Sequence, residues 1–134
     1  MSLLAHLREY YDDYKVCLNQ INKLFRSRPP VTFTVYPEDY EVTGVPTIYC
    51  SPASKICTRV PDSEERMRLV QYYRDRLGYE IKNPDEYVVL FEHDRSIAYP
   101  LEVLYITDLE SYIASVIENN PDLPNPPNPF TIVI

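Results

Sequence analysis

The sequence predicts an α+β fold, in which helices brace both ends of a run of short strands and a further helix is inserted among the strands. Three observations carry this. Near the N-terminus apolar residues recur every three or four positions, the middle of the chain alternates with period two, and one internal segment has both start and stop signals for a helix.

With 134 residues the chain has the length of one domain. We expect a unit over 1–120, followed by a proline-rich tail over 121–134. Hydrophobic residues at 45% and charged ones at 25% are ordinary for a folded chain and exclude a disordered one. Thirteen tyrosines, thirteen prolines, two glycines and no tryptophan point to amphipathic ring surfaces and frequent breaks between elements.

Leu4, Leu7, Tyr11, Tyr14, Leu18, Ile21 and Phe25 form one stripe, which predicts a single amphipathic helix over 2–27, ending before Arg28-Pro29-Pro30. Such a stripe suits a short coiled coil or, since it lasts only about three heptads, a helix packed on its own core. Val31 to Tyr36 follows as a strand with Val31, Phe33 and Val35 on one face. Pro37-Glu38-Asp39 makes a turn and Tyr40 to Val45 the returning strand. Thr47 to Cys50 and Ile56 to Val60 are expected to pair as a second hairpin about Ser51-Pro52-Ala53-Ser54.

The inserted helix is expected within 62–78, capped by Ser63 and stopped by Gly78, with Glu64 and Glu65 at its positive end and Arg74 and Arg76 at its negative end. Leu69, Val70, Tyr73 and Leu77 form its buried stripe, while Tyr72 and Arg76 share another side. Strands are then predicted at Tyr79 to Lys82, Tyr87 to Phe91 and Ile97 to Ile106, the last with Pro100 as an edge or bulge. Asp108 would cap a final helix over 108–119. Seven strands in all are thus predicted over 31–106. The terminal PFTIVI is an apolar tail that must dock or attract a partner.

Cys17, Cys50 and Cys57 form no CxxC pair and leave an odd thiol, so neither a zinc site nor a disulfide framework is expected. No apolar run is long enough for a membrane span, and the first residues do not form a signal peptide. These features suggest an intracellular protein with no metal, cofactor or membrane partner.

Catalytic motifs are missing, and Glu92-His93-Asp94 falls in a turn where neighbouring side chains diverge, so no enzyme is expected. The net charge of −7 is unevenly spread, with 11 Lys and Arg against 10 Asp and Glu over 1–76, and 2 against 10 thereafter. An anion site therefore belongs in the first part. There, tyrosines interleave with Lys55, Arg59, Arg66, Arg74 and Arg76. Rings that stack on bases beside cations that hold phosphates are what single-stranded RNA requires, although tyrosine is equally common in half-buried strands.

Several strings sharpen this. Tyr40-Glu41-Val42 followed by Pro52-Ala53-Ser54 is similar to a YRV strand and PAS turn, Val70-Gln71-Tyr72-Tyr73 with Arg74 and Arg76 to an AQYF helix with cations after it, and Tyr99-Pro100-Leu101-Glu102-Val103 to an LPLEV strand. Over about residues 31–106 the chain thus resembles a divergent PAZ domain of the Argonaute, Piwi and Dicer type. The resemblance implies a small OB-like or SH3-like β-barrel with an inserted β-hairpin-helix module, whose cleft receives the 3′ end of a small RNA in RNA silencing. By position it implies RNA contacts from Tyr36, Tyr40, Tyr72 and Tyr99, to which the local cations add Lys55, Arg59 and Arg76. Two positions depart from the pattern, Thr58 where the family has an aromatic and Leu77 where it has histidine or tyrosine. A rival expectation follows: a degenerate PAZ-like scaffold that holds a protein through its cleft, with Thr58 and Leu77 lining an apolar or neutral groove, through its acidic C-terminal half, or through its tail.

Overall fold

The structure, a computed structural model, describes residues 2–106, so the expected helix over 108–119 and the tail over 121–134 lie outside the described residues. The N-terminal stripe folds as two helices, α1 (Leu3–Tyr10) and α2 (Leu18–Arg26). This corrects the single helix expected over 2–27. Tyr11 leaves α1 in an extended conformation, and the Asp13 carboxylate accepts the Lys15 N–H at 3.1 Å in the turn that follows. The break aims Tyr14 at the loop before β6 (Tyr87–Phe91): its hydroxyl donates to Glu86 Oε2 at 2.6 Å and accepts the Tyr87 N–H at 3.1 Å. A continuous helix would direct that ring along its own axis face instead.

The chain then forms β1 (Val31–Val35) and β2 (Tyr40–Gly44), an antiparallel pair in which Phe33 faces Val42. Val31, Phe33 and Val35 are buried and the residues between them are not, the alternation the sequence foretold. β3 (Pro46–Pro52) does not pair with the strand that follows it. A 3-10 turn at Ala53–Lys55 diverts the chain, held by the Ala53 N–H on Glu86 O and the Ser54 N–H on Pro84 O, both at 2.9 Å. β3 pairs with β6, whereas β4 (Cys57–Arg59) pairs with β5 (Arg66–Arg68), so the hairpin expected between Thr47–Cys50 and Ile56–Val60 is replaced by one at 57–68.

Ser63 is not a helix cap. Its hydroxyl accepts the Glu65 N–H inside the β4–β5 turn, and the helix, α3 (Leu69–Leu77), begins only after β5 has used residues 66–68 as ladder. At the other end Gly78 does stop the helix, with φ 67° and ψ 25°. Residues 79–82, expected as a strand, form none. The Tyr79 N–H goes to Tyr73 O at 2.9 Å, and Glu102 accepts the Tyr79 hydroxyl at 2.6 Å and the backbone N–H groups of Lys82 and Asn83 at 3.0 and 2.8 Å.

The strand expected over 97–106 is divided at Pro100. β7 (Asp94–Pro100) pairs with β6, a 3-10 turn takes Leu101–Val103, and β8 (Leu104–Ile106) pairs with β1. One run of residues therefore supplies a strand to each of two sheets, ordered β2-β1-β8 and β3-β6-β7, with β4-β5 as a third. The fold is α+β, and among the described residues the strands make three separate antiparallel sheets rather than one closed barrel. Phe33 of the first sheet meets Phe91 of the second edge to face at 5.9 Å, with Leu101, Val103 and Leu104 fully buried at the corner between them.

Candidate functional site

Tyr40, Tyr72 and Tyr99, far apart in sequence, come together. Tyr40 stands at the start of β2, Tyr72 on α3, and Tyr99 in β7 opposite Val89. Tyr40 and Tyr99 lie close enough for their hydroxyls to act on each other. Tyr99 rests edgewise on Phe91 at 5.5 Å, and Tyr72 meets Tyr73 at 5.5 Å with the rings nearly perpendicular. From Tyr73 the aromatic contacts continue through Tyr79 at 6.4 Å to Tyr36 at 5.3 Å. Tyr36 is 44% exposed, whereas Tyr72 and Tyr99 retain 9% and 5%. The rings expected to stack on bases are thus mostly turned inward, and Tyr36 is the exposed one among them.

Burial is the first cause that pushes the phenols of Tyr40, Tyr72, Tyr73 and Tyr99 above the ordinary value of 10.0, with the neighbouring phenols adding to it around Tyr40, Tyr72 and Tyr73. All four are therefore neutral near pH 7 and keep an O–H to donate. Glu38, exposed in the turn between β1 and β2, adds negative potential at Tyr40, Tyr72 and Tyr73. Glu38 and Tyr79 belong to this cluster although the sequence did not single them out for it, and so does Tyr73. Tyr73 was legible as core, but nothing local links a turn glutamate to a helix that begins 31 residues later.

The cations are less free than their positions in the sequence suggest. The Arg59 guanidinium donates to Asp94 Oδ2 at 2.7 Å, Ser96 Oγ at 2.9 Å and Ser63 O at 2.8 Å, which ties β4 and its turn to β7. Hydrogen bonds from Ser96, with help from Arg59, hold the Asp94 carboxyl below its usual range. Arg76 is exposed and donates to both Glu65 oxygens, at 2.8 and 3.1 Å, while its charge lowers the cost of ionising Tyr72. Lys55, exposed at the end of the 3-10 turn, is not among the principal charges acting on these tyrosines.

Thr58 does not line a groove. It is 1% exposed, and its hydroxyl accepts the Ala98 N–H at 2.9 Å and donates to Arg59 O at 3.1 Å, joining β4 to β7. Leu77 is half-buried against the core. The neutral groove expected from these two residues is therefore corrected for Thr58: its side chain is spent inside the protein. Glu92 and Asp94 diverge, the first accepting the Thr47 hydroxyl at 3.3 Å and the second holding Arg59. No family model matches the chain, and no curated protein matches it.

Proposed function

We propose that the chain is a non-catalytic, PAZ-like module of a small-RNA pathway that holds the 3′ end of single-stranded RNA. In this reading the two three-stranded sheets, packed through Phe33 and Phe91, stand for an open OB-like or SH3-like barrel, and β4, β5 and α3 for the inserted hairpin-helix module. The observation that carries the proposal is the convergence of the Tyr40, Tyr72 and Tyr99 phenols from β2, α3 and β7, all kept protonated. Neutral phenols donate to phosphate oxygens, and a pocket of donors engages one terminal phosphate group without reading bases. Tyr36, the exposed end of the aromatic chain, is then the ring available to stack on a terminal base or ribose. Cytoplasm or ribonucleoprotein granules are where such a module would act.

The test is a titration at low salt with a short labelled RNA bearing a free 3′ end, against the same RNA blocked at that end. Preferential binding of the free end, weakened by Tyr72→Ala and by Tyr36→Ala, supports end anchoring. Equal binding of both RNAs, or none to the folded protein, sinks it.

A second reading, a PAZ-like scaffold for a protein partner, is favoured by one observation: Arg59 and Arg76 are already neutralised by Asp94 and Glu65, and Glu38 faces the tyrosines. A complex that survives nuclease and is lost on Leu77→Asp supports the scaffold, and release by nuclease counts against it.

A further inference from the structure

The side of α3 turned away from the tyrosines holds a separate hollow of about 300 Å³, lined by Ser54, Arg68, Val70, Gln71, Arg74 and Pro84. At about 100° per residue, Tyr72, Tyr73 and Arg76 project to one side of the helix while Val70, Gln71 and Arg74 project to the other. The two sites share a helix but no side chain.

Its two arginines are less fully paired than Arg59 and Arg76. Arg68, exposed at the N-terminal boundary of α3, makes no ion pair among the described residues. Arg74 contacts the carboxylate of its sequence neighbour Asp75 through Nε alone, at 3.1 Å, leaving its two terminal nitrogens outside that bond. No carboxylate lines the hollow. Ser54 has its backbone N–H committed to Pro84 O, which fixes the serine at the rim and leaves its hydroxyl available. Two arginines, a glutamine and a serine thus line it together with Val70 and Pro84.

We propose that this hollow binds a phosphomonoester dianion. Arg68, which has no ion pair among the described residues, and Arg74, held to Asp75 through Nε alone, present guanidinium nitrogens to a dianion, and planar guanidinium forks pair with phosphate oxygens in two-pronged contacts. A volume at the small end of the range for ligand clefts fits one phosphorylated group with a short substituent rather than a polymer strand. A monoester leaves three oxygens for the four donors, whereas a diester offers one negative charge and two free oxygens.

The experiment is an NMR titration of the full chain with methyl phosphate and, separately, dimethyl phosphate at low salt near pH 8, where the monoester, with a second ionisation near about 6, is a dianion. Methyl phosphate is expected to shift the Ser54, Gln71 and Arg74 signals, and dimethyl phosphate to bind at least about tenfold more weakly. Arg68→Gln and Arg74→Gln, both at exposed positions, should each weaken methyl phosphate by about tenfold with the fold unchanged by circular dichroism. Tyr40→Phe should leave it unaltered, so failure here is distinguishable from failure of the RNA proposal. Equal binding of the diester, shifts that map to the tyrosines instead, or binding that persists in the double arginine variant overturns the assignment.

Discussion

The side-chain amide of Asn22 in α2 lies against the backbone of Ile48 in β3 as a neighbouring strand would: its Nδ2 donates to Ile48 O at 2.9 Å and its Oδ1 accepts the Ile48 N–H at 2.7 Å. β3 is an edge strand of its sheet, so this amide satisfies both polar groups of a buried edge residue and blocks pairing with another chain. Asn22→Ala should lower stability by about 2 kcal/mol and add self-association. Urea unfolding and light scattering check this; an unchanged midpoint would show that water replaces the amide without cost.

Glu102 should be as important to the 79–83 loop. It is a buried carboxylate receiving a phenol and two backbone N–H groups, and nothing else in the loop takes their place. Glu102→Ala is expected to cost about 2–4 kcal/mol and to raise hydrogen exchange at Lys82 and Asn83 specifically. Protection that persists at these two amides would refute the role.

Thr58→Val keeps the shape of the side chain and removes the acceptor of the Ala98 N–H. A loss of about 1–3 kcal/mol is expected, with weakened attachment of the β4–β5 hairpin to β7. A neutral result in thermal unfolding would mean that this N–H finds water or a shifted carbonyl.

The tyrosine cluster makes a pH prediction. Tyr40, Tyr72, Tyr73 and Tyr99 have folded values above the ordinary 10.0, chiefly through burial. At pH above 10.0 the unfolded chain releases protons that the folded chain retains, so stability is complete below that value and is lost as pH rises through the folded values. Urea midpoints should hold steady up to about pH 9 and fall steeply by about pH 11, with a smaller fall in Tyr73→Phe. A flat profile would mean that the phenols ionise without leaving the core.

If the cluster receives a phosphate, Glu38 opposes it. Glu38→Gln should tighten single-stranded RNA binding several-fold and reduce selectivity against other anions, measured by anisotropy at two salt concentrations. Unchanged affinity would place the RNA elsewhere.

Much of this protein was legible in residues that act locally. The alternation of Val31, Phe33 and Val35, the Pro37-Glu38-Asp39 turn, the strand at 87–91 and the stop at Gly78 each depend on neighbours within a few positions, and each stands where the sequence puts it. The tyrosines at 40, 72 and 99 were also legible as a group, through their strings. What the sequence did not determine was which donors meet which acceptors across the chain. A stripe at helical spacing runs unbroken through Tyr11 and Tyr14, yet Glu86 and the Tyr87 N–H draw Tyr14 out of the helix. Ser63 has the form of a cap, yet Arg66–Arg68 satisfy their backbone against Cys57–Arg59 before a helix can start. Glu102 turns a strand-like segment at 79–82 into a loop by taking the Lys82 and Asn83 N–H groups, and Arg59 reaches Asp94 before any ligand can. Local periodicity sets which face of a segment is apolar; the pairing of polar groups between distant segments is settled only when the whole chain closes, because each buried donor takes the acceptor the fold brings within reach.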